Sequence, residues 1–222
     1  MFSNMLTLIF TKAVMRGIYR KALLMLTNTK LWRFILLRII PYIRFTMYYT
    51  SFRGWKYKRG HKLLQPGHIL LCIDSQKLTT KLIGGTFTHA ALCISKDDPD
   101  SGEIAEIVAS GMEMAEFFDI CRESTRVVIG KCTKWDIDYT HKVIAKCKTF
   151  SGVDYDTSFG FGVKSLYCSE LIYHSDYEHR LEVKLDDIAG LGIKYISPTG
   201  ILNSPNFEIV WDSDEEIKAN TK

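Results

Sequence analysis

Apolar residues recur through the first part of the chain at helical spacing. Leu6, Ile9, Phe10, Ala13 and Val14, then Leu23, Leu24 and Leu26, are regularly interrupted by Lys or Arg. The pattern predicts two amphipathic basic helices, over residues 5–26 and 30–47, with Asn28 and Pro41 as irregularities. No uncharged apolar run there reaches the roughly 18 residues that a membrane-spanning helix requires. The positive charges follow the first apolar run instead of preceding it, which fits a secretory leader poorly.

Residues 55–60 are basic and read as a loop, and Pro66 and Gly67 mark a turn. Beyond that turn the period changes. Residues 68–73, 87–94, 103–110 and 127–132 are short apolar runs bounded by turn residues, the signature of buried strands. Between them, residues 75–83 read as a short helix closed by Gly84 and Gly85, and residues 96–102 as a hairpin turn. That turn lacks the acid spacing and closing Glu of a calcium loop. Residues 111–118 read as extended chain leading to a short helix over 117–122.

Residues 135–150 carry a helical period, with Ile137, His141, Ile144, Ala145 and Lys148 predicted on one face. Residues 151–164 are glycine-bearing and aperiodic, as expected of a wall beside a site. A helix starting at Cys168 runs to about residue 177. Residues 185–195 read as loop or turn, and a last strand over 207–211 follows the segment between Pro198 and Pro205. No internal repeat interrupts this order.

The balance of 46% hydrophobic and 24% charged residues in 222 is that of a globular domain. The net charge of +4 conceals an asymmetry that changes the picture. No acid precedes Asp74, so residues 1–73 carry +13 and the remainder −9. The expected organisation is a basic amphipathic helical extension over 1–60, a catalytic domain over 61–212 and an acidic tail over 213–222. Trp32, Phe34, Tyr42, Phe45, Tyr48 and Tyr49 lie among the cations of the extension. Residues 1–50 therefore pack on the catalytic body or meet an anionic membrane surface. No nucleic-acid motif is present and no such partner is expected.

The six cysteines, at 72, 93, 121, 132, 147 and 168, include no Cys-x-x-Cys pair, which disfavours zinc ribbons and dithiol redox motifs. No metal and no cofactor is expected. Five of the six read as buried small hydrophobes in a reducing compartment, hence a cytoplasmic protein, with peripheral membrane attachment as the alternative.

The sixth cysteine carries the chemistry. Tyr167-Cys168-Ser169-Glu170-Leu171 places a thiol at the first turn of an amphipathic helix, where unpaired N–H groups and the helix dipole favour thiolate. Such a nucleophile needs a base and an orienter. Of six histidines, only His89 stands in a strand with small flanking residues, Thr88, Ala90 and Ala91, which leave its ring open to a cleft. The other reading of His89 is a hydrogen-bonded core residue. Glu106, a carboxylate inside the apolar strand Ile104-Ala105-Glu106-Ile107-Val108, calls for a partner. An antiparallel pairing aims it at the histidine's remote nitrogen; its rival is Glu103. Glu170 reads as a helix-dipole residue. The Tyr155 and Tyr167 hydroxyls are candidates for binding a developing oxyanion, or half-buried packing groups.

With His89, Glu106 and Tyr167-Cys168-Ser169-Glu170-Leu171 in view, the chain resembles the permuted NlpC-type papain-like cysteine hydrolases of the YiiX/YebB-like group. These are relatives of poxviral proteins and of lecithin:retinol acyltransferase. The likeness covers residues 63–212 and rests also on Gln65-Pro66-Gly67-His68-Ile69-Leu70-Leu71, Thr88-His89-Ala90-Ala91-Leu92 and Tyr155-Asp156, and ends with Ile196-Ser197-Pro198 and Asn203-Ser204-Pro205 before the last strand. Histidine ahead of cysteine is the permuted order.

The resemblance implies an α+β fold, an antiparallel sheet or barrel packed on the cysteine helix, with Cys168, His89 and Glu106 as the catalytic set. The usual acid stands directly before an Ala-Ser pair, where this chain has Val108; Glu106 is two residues earlier on the same strand face. The implied activity is a cysteine hydrolase forming a thioester at Cys168, with amide bonds of short or cell-wall-type peptides as substrate. The alternatives are a membrane-associated lipid acyl hydrolase or acyltransferase with an acyl-lipid substrate, and a non-enzymatic binding module of the same fold.

Overall fold

The computed structural model describes residues 54–73, 86–96, 104–158, 160–187 and 194–214, with Lys30, Phe34, Ile35, Arg38, Ile39 and Phe52 before them. The helices expected over 5–26 and, those positions apart, over 30–47 lie outside the described residues. So do the helix expected over 75–83, most of the hairpin turn over 96–102, Glu103 and the tail beyond Asp214.

Six antiparallel strands form the central sheet. They are β1 (Ile69–Ile73), β2 (His89–Cys93), β3 (Ile104–Val108), β4 (Gly111–Ala115), β5 (Arg126–Cys132) and a last strand, Phe207–Asp212. The last strand lies at one edge, followed across the sheet by β5, β1, β2, β3 and β4 at the other. The apolar runs are nearly continuous because both faces of the sheet are covered. Ile69, Leu71, Ala90, Leu92, Ala105, Ile107 and Val128 face one core, and Leu70, Cys72, Ala91, Cys93, Ile104, Val127 and Ile129 face the other.

The second core is capped by α1 (Gly54–Leu63) and α2 (Phe117–Glu123). The loop expected over 55–60 is thus corrected to helix. Its buried positions are Lys56 and Gly60, which no apolar pattern marks. Gly60 lets the helix approach closely, since a Cβ there would stand 2.8 Å from the Phe117 ring, and Tyr57 stacks on Phe117.

The first core is capped by α3 (Ile137–Lys148) and α4 (Cys168–Ser175). The predicted face of α3 is also corrected. Tyr139, Val143, Ile144 and Cys147 are buried, whereas Ile137, on its first turn, is 77% exposed. Short pairs β6 (Asp154–Tyr155) with β7 (Ser165–Leu166), and β8 (Asp186–Asp187) with β9 (Lys194–Tyr195), hold the segments on either side of α4. Helix α5 (Pro198–Leu202) precedes the last strand, β10. Ser197 caps α5, accepting from Gly200 N–H at 2.7 Å, with Pro198 at its first position.

The end of α4 is fixed by Asp176, which is 1% exposed. Its carboxylate accepts from Tyr139 Oη at 2.7 Å, Leu181 N–H at 2.7 Å and Arg180 N–H at 3.1 Å. Asp176→Ala leaves these donors without their acceptor and is expected to destabilise the fold by about 3 kcal/mol. A urea unfolding midpoint equal to that of the unaltered chain contradicts this.

Candidate active site

Tyr167 enters α4 in extended conformation, φ −104° and ψ 170°, so Cys168 is the first helical residue. Its backbone N–H precedes the first acceptor of the helix ladder. Glu170 reaches back to Tyr167 N–H at 3.4 Å. It stands in the first turn of α4, as a helix-dipole residue does, and is fully buried. Burial raises its pKa, and its second oxygen lies 3.7 Å from His174 Nε2, neither atom having a hydrogen-bond partner among the described residues.

His89 opens β2, and the strand geometry places Glu106 beside it. Ala91 pairs with Glu106, so the carboxylate stands one diagonal step from His89, within cross-strand reach. His89 Nε2 and Glu106 Oε2 are 2.6 Å apart. Val108 is the position directly across from His89 on that register, yet regular β2–β3 pairing ends at Ala91. The two-residue displacement of the acid is therefore absorbed along one strand face. Beyond Val108 the chain turns back at Gly111, whose φ of +109° favours glycine and whose Cβ would meet Val153 O at 2.6 Å.

The other side of the ring meets Cys168 through a side-chain hydrogen bond. Burial alone depresses the imidazole pKa; hydrogen bonds to Cys168 and Glu106 and their negative charges overcome it and raise it to about 10. Burial alone raises the Cys168 pKa. The His89 hydrogen bond and charge, with the Ala90 and Ser169 N–H groups, outweigh it and hold the thiol below its ordinary value.

Both shifts favour the thiolate–imidazolium form of the pair. Burial pushes Cys121 up, and Cys132 and Cys147 up to about 11. All six cysteines are buried free thiols. What separates Cys168 from its neighbours is its polar contacts.

The two tyrosines differ. Tyr167 is 2% exposed, and its hydroxyl accepts from Ile196 N–H at 2.8 Å, so its placement is that of a strut between α4 and the chain before α5. Tyr155 is less buried, and its hydroxyl has no hydrogen-bond partner among the described residues. Both line a small pocket beside Cys168. Ile196 and Pro198 line it as well; the family likeness includes Ile196-Ser197-Pro198, but hydrophobic pattern alone gives that segment no role at the site.

A cysteine on the first turn of a helix, bonded to a strand histidine that a carboxylate backs, all on one antiparallel sheet, defines a papain-like site. With histidine ahead of cysteine in the chain, it is the permuted form. A family model described as permuted papain-like amidase enzyme, YaeF/YiiX, C92 family, matches residues 63–213, and the chain belongs to that family.

A crystal structure of the metalloprotein YiiX from Escherichia coli O157:H7 shares the fold, with a TM-score of 0.54 at 16% identity. The alignment covers 66% of this chain and 96% of that one. No curated protein matches the chain. Among the described residues, no three His, Cys, Asp or Glu side chains gather closely enough to hold a metal ion, and no helix is long and apolar enough to cross a membrane.

Proposed function

We propose that the chain cleaves amide bonds of short or cell-wall-type peptides through a thioester at Cys168. The observation that carries this reading is the chain of side chains from Glu106 through His89 to Cys168, whose thiol is held below its ordinary pKa by His89. The thiolate attacks the scissile carbonyl carbon. The oxygen gains negative charge next to the Cys168 backbone N–H, with the Tyr155 hydroxyl as second donor. His89 passes a proton to the amine as the C–N bond breaks, which leaves a thioester and neutral imidazole. Water then enters, gives a proton to His89 and attacks the thioester. The acid departs, and the thiolate–imidazolium pair returns.

Glu106 fixes the ring and favours its charged form. The family supports an amide substrate and lends nothing to the acyl-lipid reading. YiiX is a metalloprotein by name; among the described residues of this chain no three His, Cys, Asp or Glu side chains gather closely enough to hold a metal ion. We further propose residues before 54 as a basic extension to the catalytic body, in a reducing compartment that suits six free thiols.

Acid quenching during turnover of a short peptide amide tests the thioester. The expected result is one acyl group, released by hydroxylamine, on the Cys168 peptide; acylation elsewhere, or none, contradicts it.

Glu106→Gln is expected to lower kcat by about tenfold, less than the roughly 10²–10⁴-fold carried by a general acid–base group itself. It also moves the alkaline limb of the pH profile down, because one of the contacts raising the His89 pKa has weakened. An unmoved limb assigns Glu106 a structural role only.

A further inference from the structure

Glu170 stands in the first turn of α4 with no exposed surface. Its Oε2 accepts from Tyr167 N–H at 3.4 Å. Its Oε1 lies 3.7 Å from His174 Nε2, one turn further along, and neither of those two atoms has a hydrogen-bond partner among the described residues.

A glutamate at the third helical position can cap a helix from solvent without losing its hydration. Enclosing it is costly, because a buried carboxylate oxygen without a donor gives up water for nothing. Burial accordingly raises the Glu170 pKa, and the Asp156 charge adds to this, while His174 and the Tyr167 N–H oppose it. Stability of the helix start alone gives no reason for the burial.

The neighbours of Cys168 supply one. Tyr167 Oη accepts from Ile196 N–H at 2.8 Å, and Ser169 Oγ donates to Ile196 O at 2.7 Å, so the side chains on either side of the cysteine are tied down. The main chain is tied down as well. Leu171 N–H donates to Tyr167 O at 3.2 Å, and Glu170 takes the Tyr167 N–H. With both of these groups held, the plane of the Tyr167–Cys168 peptide is set, and the N–H of that peptide is the oxyanion donor of the reading above. Glu170 also bears on the second donor. Burial, and then the negative charges of Cys168, Asp156 and Glu170, raise the Tyr155 pKa and keep its hydroxyl protonated.

We propose that Glu170 is a positioning residue: backed by His174, its carboxylate fixes the Tyr167–Cys168 peptide so that the Cys168 N–H meets the developing oxyanion. The inference rests on the amidase reading and adds to it the group that orients the donor.

The test compares two reactions of Cys168 in the full chain. Attack on 4-nitrophenyl acetate passes through an oxyanion, forms the acetyl thioester and releases 4-nitrophenolate. Alkylation by iodoacetamide uses the same sulfur, releases iodide and develops no oxyanion. Each rate is followed on the Cys168 peptide by mass spectrometry.

In Glu170→Ala, acylation is expected to fall at least about tenfold, a fraction of what losing an oxyanion donor costs, while alkylation stays within about twofold. Glu170→Gln keeps an acceptor for Tyr167 N–H and is expected to recover most of the loss. His174→Ala removes the group behind Oε1 and is expected to lower acylation relative to alkylation by about threefold. That arm stands even if Glu170→Ala does not fold.

Acylation and alkylation that fall together, or an acylation rate that does not move, give Glu170 a role in folding alone and overturn the inference. A glutamine variant as slow as the alanine one overturns it too. An unaltered chain that 4-nitrophenyl acetate does not acylate at Cys168 removes the amidase reading and this inference with it.

Discussion

Replacing Cys168 with alanine is expected to lower kcat by roughly six orders of magnitude, the scale of nucleophile deletion in covalent hydrolases. No other thiol can take over. Cys121, Cys132 and Cys147 are buried with raised pKa values, so at neutral pH they are protonated. Cys168→Ser is expected to be nearly as inactive, because a hydroxyl is far harder for His89 to ionise than a thiol. The thermal midpoint separates chemistry from folding. The variant keeps the shape of the helix start, so Tm is expected to change little while turnover disappears. Turnover of Cys168→Ala within about tenfold of the unaltered chain places the bond-breaking step elsewhere.

His89→Asn has the second largest expected effect, and its signature is a pH profile. In the unaltered chain the ion pair exists over a window with two edges. As pH falls through the depressed pKa of Cys168, sulfur takes up a proton and reactivity is lost. As pH rises through about 10, His89 gives up its proton and can no longer protonate a leaving amine. Between these edges, alkylation of Cys168 by iodoacetamide is fast and nearly constant.

Without the imidazolium, the His89 hydrogen bond and charge no longer offset burial, the largest influence on the thiol, and its pKa is expected to rise. Alkylation at neutral pH then slows by about 100-fold and climbs steadily with pH. A variant whose rate still levels off at neutral pH shows that another group ionises the sulfur. Peptide mass spectrometry assigns the rate to residue 168 among six thiols.

The strands, and the three side chains that meet at the site, were legible because each rests on a local rule. Apolar runs between turn residues gave β1, β2, β3 and β5 near their observed limits. A strand histidine with small neighbours and a carboxylate in an apolar strand each stand out against their surroundings, and the antiparallel register brings them together. The entry of α4 was visible in the cysteine's position, with polar residues directly after it.

Other features depend on contacts that sequence spacing does not encode. Helix α1 packs through a glycine and the stem of Lys56, whose ammonium lies over Phe52 and Trp55, so its six central residues look like solvated loop. The face of α3 was misread because the buried stripe from Tyr139 to Cys147 is anchored by a tyrosine whose hydroxyl finds Asp176, 37 residues away. Glu170 was legible as a helix-dipole residue, but not its burial, which follows because the turn it caps is itself enclosed. Ile196 stood out only through the family likeness and not through its pattern, as its part is played by backbone groups.

Thiolate absorbance in the ultraviolet, recorded as the difference between the unaltered chain and Cys168→Ser across pH, tests the central claim most directly. The account predicts one thiolate already present at neutral pH, which disappears on acidification and is missing from His89→Asn at the same pH. A difference signal that rises only in the range of an ordinary thiol, and is the same with and without His89, contradicts it.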